Sequence, residues 1–252
     1  MKRLILVSVI LNIFTTQLAL AADIDGQIAW SQRIDLSTTV SGMVDEVRVN
    51  AGDKVAKGTV LLRLQSDRFN AALVSANAIK KDAEYKLKEA EREWDRAQEL
   101  YERTVLSDSD LQLAENLLVS AQADFAQASA QQINAKRDVT ESVIRAPFAA
   151  VVLQRHAQPG QIVVTRTQSV PLITIAATKN YHANGAVLAS VASQLVKGEA
   201  VAVSVSGKRF NGILSSIGFE PLKDTQTYSV VVSFTTGGEL LRAGQSATIH
   251  LP

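Results

Sequence analysis

Cysteine is absent from all 252 residues. Disulfides, zinc-thiolate sites, thiol nucleophiles and a lipid-modified N-terminal cysteine are thereby excluded. Methionine occurs only at Met1 and Met43, so a soft-ligand metal site has almost nothing to be built from. His156, His182 and His250 stand far apart in the chain, with no His-x3-His pair, no Gly-x-Ser-x-Gly elbow and no phosphate-binding glycine loop. No catalytic residue, cofactor or metal site is expected. Charge of one sign is missing too: 26 basic and 25 acidic residues leave a net +1, which supplies no field for nucleic acid or an anionic membrane. Aromatic content is only 5%, while 46% apolar and 20% charged residues are ordinary for a folded chain, and low aromaticity accompanies Ala-, Gln- and Glu-rich helical coils.

Long hydrophobic runs are lacking beyond the N-terminus. There the chain reads Met1-Lys2-Arg3, an apolar run over residues 4–14, a polar Thr15-Thr16-Gln17, then Ala19-Leu20-Ala21. A basic start, a run shorter than the ~18 residues of a spanning helix and an Ala-x-Ala exit describe a secretory signal peptide over residues 1–21, cut after Ala21. The alternative is an uncleaved anchor over residues 4–22. Cleavage removes Lys2 and Arg3, shifting the net charge from +1 to about −1, and predicts an exported, soluble mature chain.

What the chain does contain is one short β-pattern, twice. Residues 42–55 include Gly42, Val44, Gly52 and Val55; residues 150–163 include Ala150, Val152, Gly160 and Val163. Each copy places a turn glycine ten residues after its start and a valine three later. Two half-motifs that fold onto each other must bring the ends of whatever separates them together, so the insert has to leave as an antiparallel hairpin. That insert is helical: a 3-4 apolar spacing runs through Phe69, Leu73, Ala76, Ala83, Leu87, Ala90, Trp94, Ala97 and Tyr101, with Lys80 the one polar residue in register. Ser107 with Asp110 starts a second helix. Its seam is Leu111, Ala114, Leu118, Ala121, Phe125, Ala128, Gln132, Ala135 and Val139. Helices of ~35 residues give an arm of roughly 50 Å. Pro147 forbids continuation. After the second β-copy, strand candidates at 185–188, 200–205, 210–217, 228–234 and 247–251 are separated by turn signals such as Lys197-Gly198, Gly207-Lys208 and Gly237-Gly238, which predicts a small antiparallel barrel.

The fold class is therefore α+β: a split β-sandwich, interrupted by a long antiparallel coiled-coil hairpin and followed by a β-barrel. Its expected divisions are a barrel strand from residues 22–39, the first sandwich half at 40–67, the hairpin at 68–142, the second half at 143–176 and the barrel at 177–252.

Three blocks, Val40-Ser41-Gly42-Met43-Val44 through Gly52-Asp53-Lys54-Val55-Ala56-Lys57-Gly58, Ile144-Arg145-Ala146-Pro147-Phe148, and Leu241-Arg242-Ala243-Gly244-Gln245-Ser246-Ala247, make the chain similar to the periplasmic adaptor, or membrane fusion, subunits of tripartite efflux and secretion systems. The resemblance departs at Ala149-Ala150, where the family has Asp-Gly, at Ala243 and Gln245, where it has Arg-Pro-Gly-Met, and at the end of the chain after Pro252, which implies that the membrane-proximal domain of larger members is missing or vestigial. It implies that the split sandwich is lipoyl-like and that the protein is non-catalytic and periplasmic and forms a ring, six-fold by analogy. Its partners would be an inner-membrane transporter of the resistance-nodulation-division (RND) type, or alternatively an ABC-type or type I secretion transporter, and a TolC-like outer-membrane channel. Nucleic acid is not among them. Adaptors that dock on such channels carry R-x3-L-x6-S at the hairpin tip, matched here by Arg96, Leu100 and Ser107. Each also has a structural reading: a solvated charge, a helix-packing residue and an N-cap worth about 1 kcal/mol. Two other functions fit less well. A lipoyl carrier needs its lysine on a tight β-turn, and the hairpin occupies that junction. A self-assembling exported scaffold leaves the tip motif and the barrel unexplained.

Overall fold

The computed structural model describes residues 23–165, 170–223 and 225–251; the expected signal peptide lies outside them. The chain divides into two compact units, residues 32–178 and a unit of residues up to Ser31 together with those from Lys179 on. It opens with β1 (Asp23–Trp30), which belongs to the latter.

The first-named unit holds β2 (Arg33–Leu36), β3 (Gly42–Val47), β4 (Lys54–Val55), β5 (Val60–Leu64), helices α1 (Asp67–Glu102) and α2 (Asp108–Glu141), and then β6 (Val143–Arg145), β7 (Ala150–Arg155), β8 (Ile162–Val163) and β9 (Ile173–Ala177). Two four-stranded sheets result, ordered β2-β9-β7-β4 and β6-β5-β3-β8. The sequence repeat explains them. Each copy's first strand pairs with the other copy's second strand: β3 with β8 and β7 with β4. The exchange is reciprocal to the atom. Gly52 N–H donates to the Val152 carbonyl and Gly160 N–H to that of Val44, both at 2.8 Å, while Val44 and Val152 donate to Gln161 and Asp53. Gly52 and Gly160 sit at φ +97° and +81°, backbone that favours glycine. The enclosed core includes Leu61, Leu62, Leu64, Ile173 and Ile175, all fully buried and each contributing about 1.5–3 kcal/mol.

Residues 22–39, expected as one barrel strand, divide instead. β2 leaves β1 at Ser31-Gln32 and pairs antiparallel with β9, Ile34 opposite Ile175. The physical reason is where the apolar side chains find cover: Ile34 and Leu36 pack on the sandwich core, whereas Ile28 is buried in the barrel.

The hairpin emerges between neighbours in a sheet. β5 precedes it, β6 follows it, and the two pair antiparallel, with Leu64 N–H donating to the Ser142 carbonyl at 2.8 Å. Phe69 near the start of α1 and Val139 near the end of α2 reach the sandwich core, and the Thr38 hydroxyl donates to the Glu141 carbonyl at 3.0 Å. At 1.5 Å per residue, the 36 and 34 residues of the helices give an arm of about 50 Å. Alanines fill its seam: Ala76, Ala83, Ala97, Ala121 and Ala128 are buried. The seam departs from expectation at its last layer. Leu100 is half-buried and Tyr101 exposed.

The second unit adds β10 (Asn180–Leu188), a short α3 (Ala189–Ala192), β11 (Ala200–Val205), β12 (Lys208–Pro221), β13 (Thr227–Thr235) and β14 (Ser246–His250). These close with β1 into a barrel ordered β1-β10-β13-β12-β11-β14. Closure removes exposed strand edges. Tyr181, Val203, Leu214, Val232 and Ile249 fill the interior, and the buried Tyr181 hydroxyl accepts from the Leu241 N–H at 3.1 Å. Gly26 faces Gly185 across β1 and β10. A Cβ added at Gly26 would lie 2.8 Å from the Asn184 carbonyl oxygen, so the two strands approach only as glycine allows.

Candidate functional site

A pair of antiparallel helices projecting from a sheet ends in a far turn that the rest of its unit does not cover. The chain reverses there over residues 103–107 with no glycine. Val105 N–H donates to the Leu100 carbonyl at 3.0 Å and Thr104 N–H to that of Tyr101 at 2.8 Å, a Schellman closure with Thr104 in the left-handed position at φ 60°. Glycine is the usual occupant of that position, and a β-branched residue there is strained by roughly 1–2 kcal/mol. The strain sits at the apex, beside Val105, which is 71% exposed.

Arg96, Leu100 and Ser107 all fall in this distal region, and each has a structural contact. The Arg96 guanidinium pairs with Glu93 one turn back at 2.7 Å, both side chains well exposed. Leu100 is half-buried in the last seam layer. Ser107 caps α2: its Oγ accepts from the Asp110 N–H at 3.2 Å and donates to the Asp110 carboxylate at 2.7 Å. Asp108 and Asp110 occupy the first turn of α2, where negative charge suits the helix dipole. The hydrogen bond to Asp108 holds the Tyr101 phenol above its ordinary pKa, with the Asp108 charge and desolvation acting in the same direction. The strained Thr104 and the exposed Val105 were missed in the sequence; the lack of any glycine between the helices was the available signal.

The hairpin also contains a polar layer. Lys80 donates to the Gln132 Oε1 at 2.9 Å, and Gln132 Nε2 donates to Asn77 Oδ1 at 2.8 Å, so the two polar residues in the seams lie opposite each other.

One constellation in the barrel has the residue types of a hydrolytic triad. Ser204 Oγ lies 2.8 Å from His250 Nε2, and His250 Nδ1 lies 2.6 Å from Asp23 Oδ1. Ser204 sits mid-strand in β11, which is paired on both sides, with β12 and β14. Ser204 thus lies within a paired strand and not on a turn of the kind that presents free N–H groups to an oxyanion. The three residues tie β11, β14 and β1 together where the barrel closes. Among the described residues no group of three or more acidic or histidine side chains is arranged to hold a metal ion, and no helix is long and apolar enough to cross a membrane.

A family model described as CzcB-like, barrel-sandwich hybrid domain matches residues 32–176, more than half of the chain. Among curated relatives, a macrolide export protein MacA of Yersinia pestis is 27% identical over 90% of this chain and 66% of its own length. A nodulation protein NolF of Rhizobium meliloti is 26% identical over 87% and 60%. A cation efflux system protein CzcB of Alcaligenes sp. is 25% identical over 84% and 41%. The chain thus spans less than two thirds of the length of each. Among solved structures, the membrane fusion protein Spr0693 of Streptococcus pneumoniae superposes with a TM-score of 0.68 at 19% identity, covering 92% of this chain and 99% of that one. MacA of Actinobacillus actinomycetemcomitans gives 0.68 at 17%, covering 92% and 78%. These likenesses establish the shared fold.

Proposed function

Because the chain belongs to the CzcB-like barrel-sandwich hybrid family, whose members are non-enzymatic membrane fusion adaptor proteins, we propose that it is the periplasmic adaptor of a tripartite efflux system, joining an inner-membrane RND-type transporter to a TolC-like outer-membrane channel for the export of small molecules. The observation that carries this reading is the hairpin: two paired helices of 36 and 34 residues, set between adjacent strands of a sandwich and ending in a tight turn. Its mechanism is geometric. Sandwiches from several copies pack side by side into a ring, six in number by family analogy; the hairpins form a tube; the tips engage the channel; the barrel rests on the pump. Arg96, Leu100 and Ser107 are the docking residues. Arg96 donates to carbonyl or carboxylate groups of the channel, and Leu100 contributes its exposed portion as an apolar contact. The transporter supplies the energy.

The preference for an RND-type pump over an ABC-type one rests on loss of the N-terminal apolar segment after Ala21. N-terminal sequencing of the mature protein checks it, and an intact Lys2-Arg3 on membrane-bound protein reverses it. Photo-crosslinking in cells, from position 104 at the tip and position 208 in the barrel, tests the whole reading. Capture of an outer-membrane channel from the first and a polytopic transporter from the second is expected; capture of neither overturns it.

A further inference from the structure

Phe219 is 99% exposed, more than any other large apolar side chain among the described residues, and the fold builds its position. β12 pairs with β11 only from Lys208 to Ile213; past that point its strand partner is β13 alone. Ile217 faces Val230 and Pro221 faces Tyr228, so Gly218, Phe219 and Glu220 stand opposite the single Ser229. A bulge of this kind bends its strand and re-aims a side chain. A Cβ at Gly218 would lie 2.6 Å from the Ser229 Oγ and 3.2 Å from the Ser229 nitrogen, so the bulge is folded tightly onto β13 while Phe219 points away.

Strand register fixes which end of the barrel carries this bulge. β1 runs antiparallel to β10, with Trp30 opposite Tyr181 and Gly26 opposite Gly185, which puts Asp23 at the Leu188 end of β10. Leu188 faces Thr227, the first residue of β13, beside the turn that follows β12. One end of the barrel therefore holds Phe219, Leu222 at 41% exposed and Leu188 at 59% exposed, together with the point where the chain enters from residues 1–22. The apolar run over residues 4–14 belongs to that entering segment. An export signal held in a bilayer keeps this end of the barrel beside the lipid until the chain is cut after Ala21.

We infer that this end of the barrel seats on the surface of a phospholipid bilayer, with Phe219 and Leu222 entering the boundary between headgroups and acyl chains. The contact gives the mature chain a hold on the membrane that outlasts cleavage. No described helix can cross a membrane, so the contact is interfacial. Glu220 and Lys223 cancel in charge, which leaves apolar burial, and not a basic patch, to drive binding. A protein partner fits the tip less well. A specific interface takes about 800 Å² from each side, whereas a projecting tip led by one phenylalanine offers about 200 Å². Lipid needs no matching surface. A single tip binds reversibly and requires neither transporter nor channel; in the ring proposed above, several tips engage together and the hold is multiplied.

The test uses the full mature chain, which has no cysteine. Leu222→Cys and, at the other end of β12, Lys208→Cys are each labelled with an environment-sensitive fluorophore. Each is mixed with vesicles of phosphatidylethanolamine and phosphatidylglycerol that carry a quencher on their acyl chains. Quenching at position 222, none at position 208, and persistence at high salt are expected. Phe219→Ser changes a fully exposed side chain, so its circular dichroism matches the wild type, and it lowers the apparent affinity by about tenfold or more. Phe219→Trp retains the affinity. Absence of quenching at 222, equal quenching at both positions, loss of quenching at high salt, or undiminished quenching in Phe219→Ser overturns the inference. Efficient disulfide pairing of the unlabelled Leu222→Cys chain without vesicles assigns the tip to a second copy and overturns it as well. The vesicles contain no transporter, so each of these outcomes leaves the crosslinking test of the adaptor reading untouched.

Discussion

The Val105 amide and the Leu100 carbonyl, five residues apart, are joined by a 3.0 Å hydrogen bond that closes the hairpin turn and forces Thr104 to φ 60°. Glycine at position 104 relieves that strain without altering the bond. Thr104→Gly should raise the stability of the hairpin by about 1 kcal/mol, seen as a higher midpoint for the loss of helical circular dichroism, while Thr104→Val gives no gain. A melting curve for the glycine variant at or below the wild type contradicts the turn geometry.

The docking role proposed for Ser107 is separable from its role as a cap. Ser107→Ala removes the acceptor for the Asp110 amide and lowers stability by about 1 kcal/mol. Ser107→Asn restores a capping acceptor and with it most of the stability, but changes the surface offered to a partner. If docking uses the hydroxyl, export by the asparagine variant falls although its melting curve matches the wild type. Normal export by Ser107→Asn reduces Ser107 to a cap.

Arg96→Asp replaces an exposed member of an i,i+3 pair with Glu93. Such pairs contribute no more than about 0.5 kcal/mol, so unfolding by urea should be almost unchanged. Export should be abolished, because a carboxylate replaces the donor that the proposed docking sets against the channel. Efflux at wild-type rates, with normal protein levels, removes Arg96 from the docking contact.

Tyr101 ionises above its ordinary pKa because the neutral phenol bonds Asp108. A group raised in the folded state contributes stability that is fully present below its unfolded pKa, near 10, and lost as pH rises through the folded value. The Tyr101–Asp108 contact therefore persists at neutral pH and is released only in strong alkali. Carbon-13 NMR of the tyrosine Cζ atoms should show Tyr101 titrating later than a free tyrosine, and Asp108→Asn should bring it earlier. No change on that substitution would sever the pair.

The sandwich was legible because its repeat is written in glycines. Gly52 and Gly160 recur at one offset, and the folded copies exchange hydrogen bonds at those residues. The hairpin was legible from the alanine-rich seam. β2 was not: Ile34 and Leu36 alternate with charged residues in a four-residue strand that suits either sheet, and only the long-range pairing with β9 decides. Tyr101 keeps the 3-4 spacing but carries a hydroxyl, and it lies exposed at the end of α1. The Ser204, His250 and Asp23 chain joins residues 46 and 227 positions apart, a distance over which spacing carries no information. At the tip, the strain at Thr104 was hidden because nothing local marks a threonine for positive φ.

Lys80 and Gln132 form the one hydrogen-bonded polar layer between the two apolar seams, with Asn77 as a third member. An ammonium held partly buried between helices gives up hydration and recovers it only through the bonds it makes, so the pair adds little net stability relative to apolar residues of similar size. A polar layer does penalise every other register, because a shifted hairpin leaves the ammonium against alanine. Lys80→Leu combined with Gln132→Leu should therefore stabilise the hairpin by about 1–2 kcal/mol and relax its register. Lys80→Leu alone should be less favourable than the pair, as Gln132 then keeps Asn77 but loses its other partner. Chemical denaturation of the single and double variants gives the coupling energy, and cysteine pairs introduced near the tip report the register through their crosslinking pattern. A double variant less stable than the wild type would assign Lys80 and Gln132 a net stabilising role; one that is more stable, yet crosslinks in a single register, would show that the alanine layers alone fix the alignment.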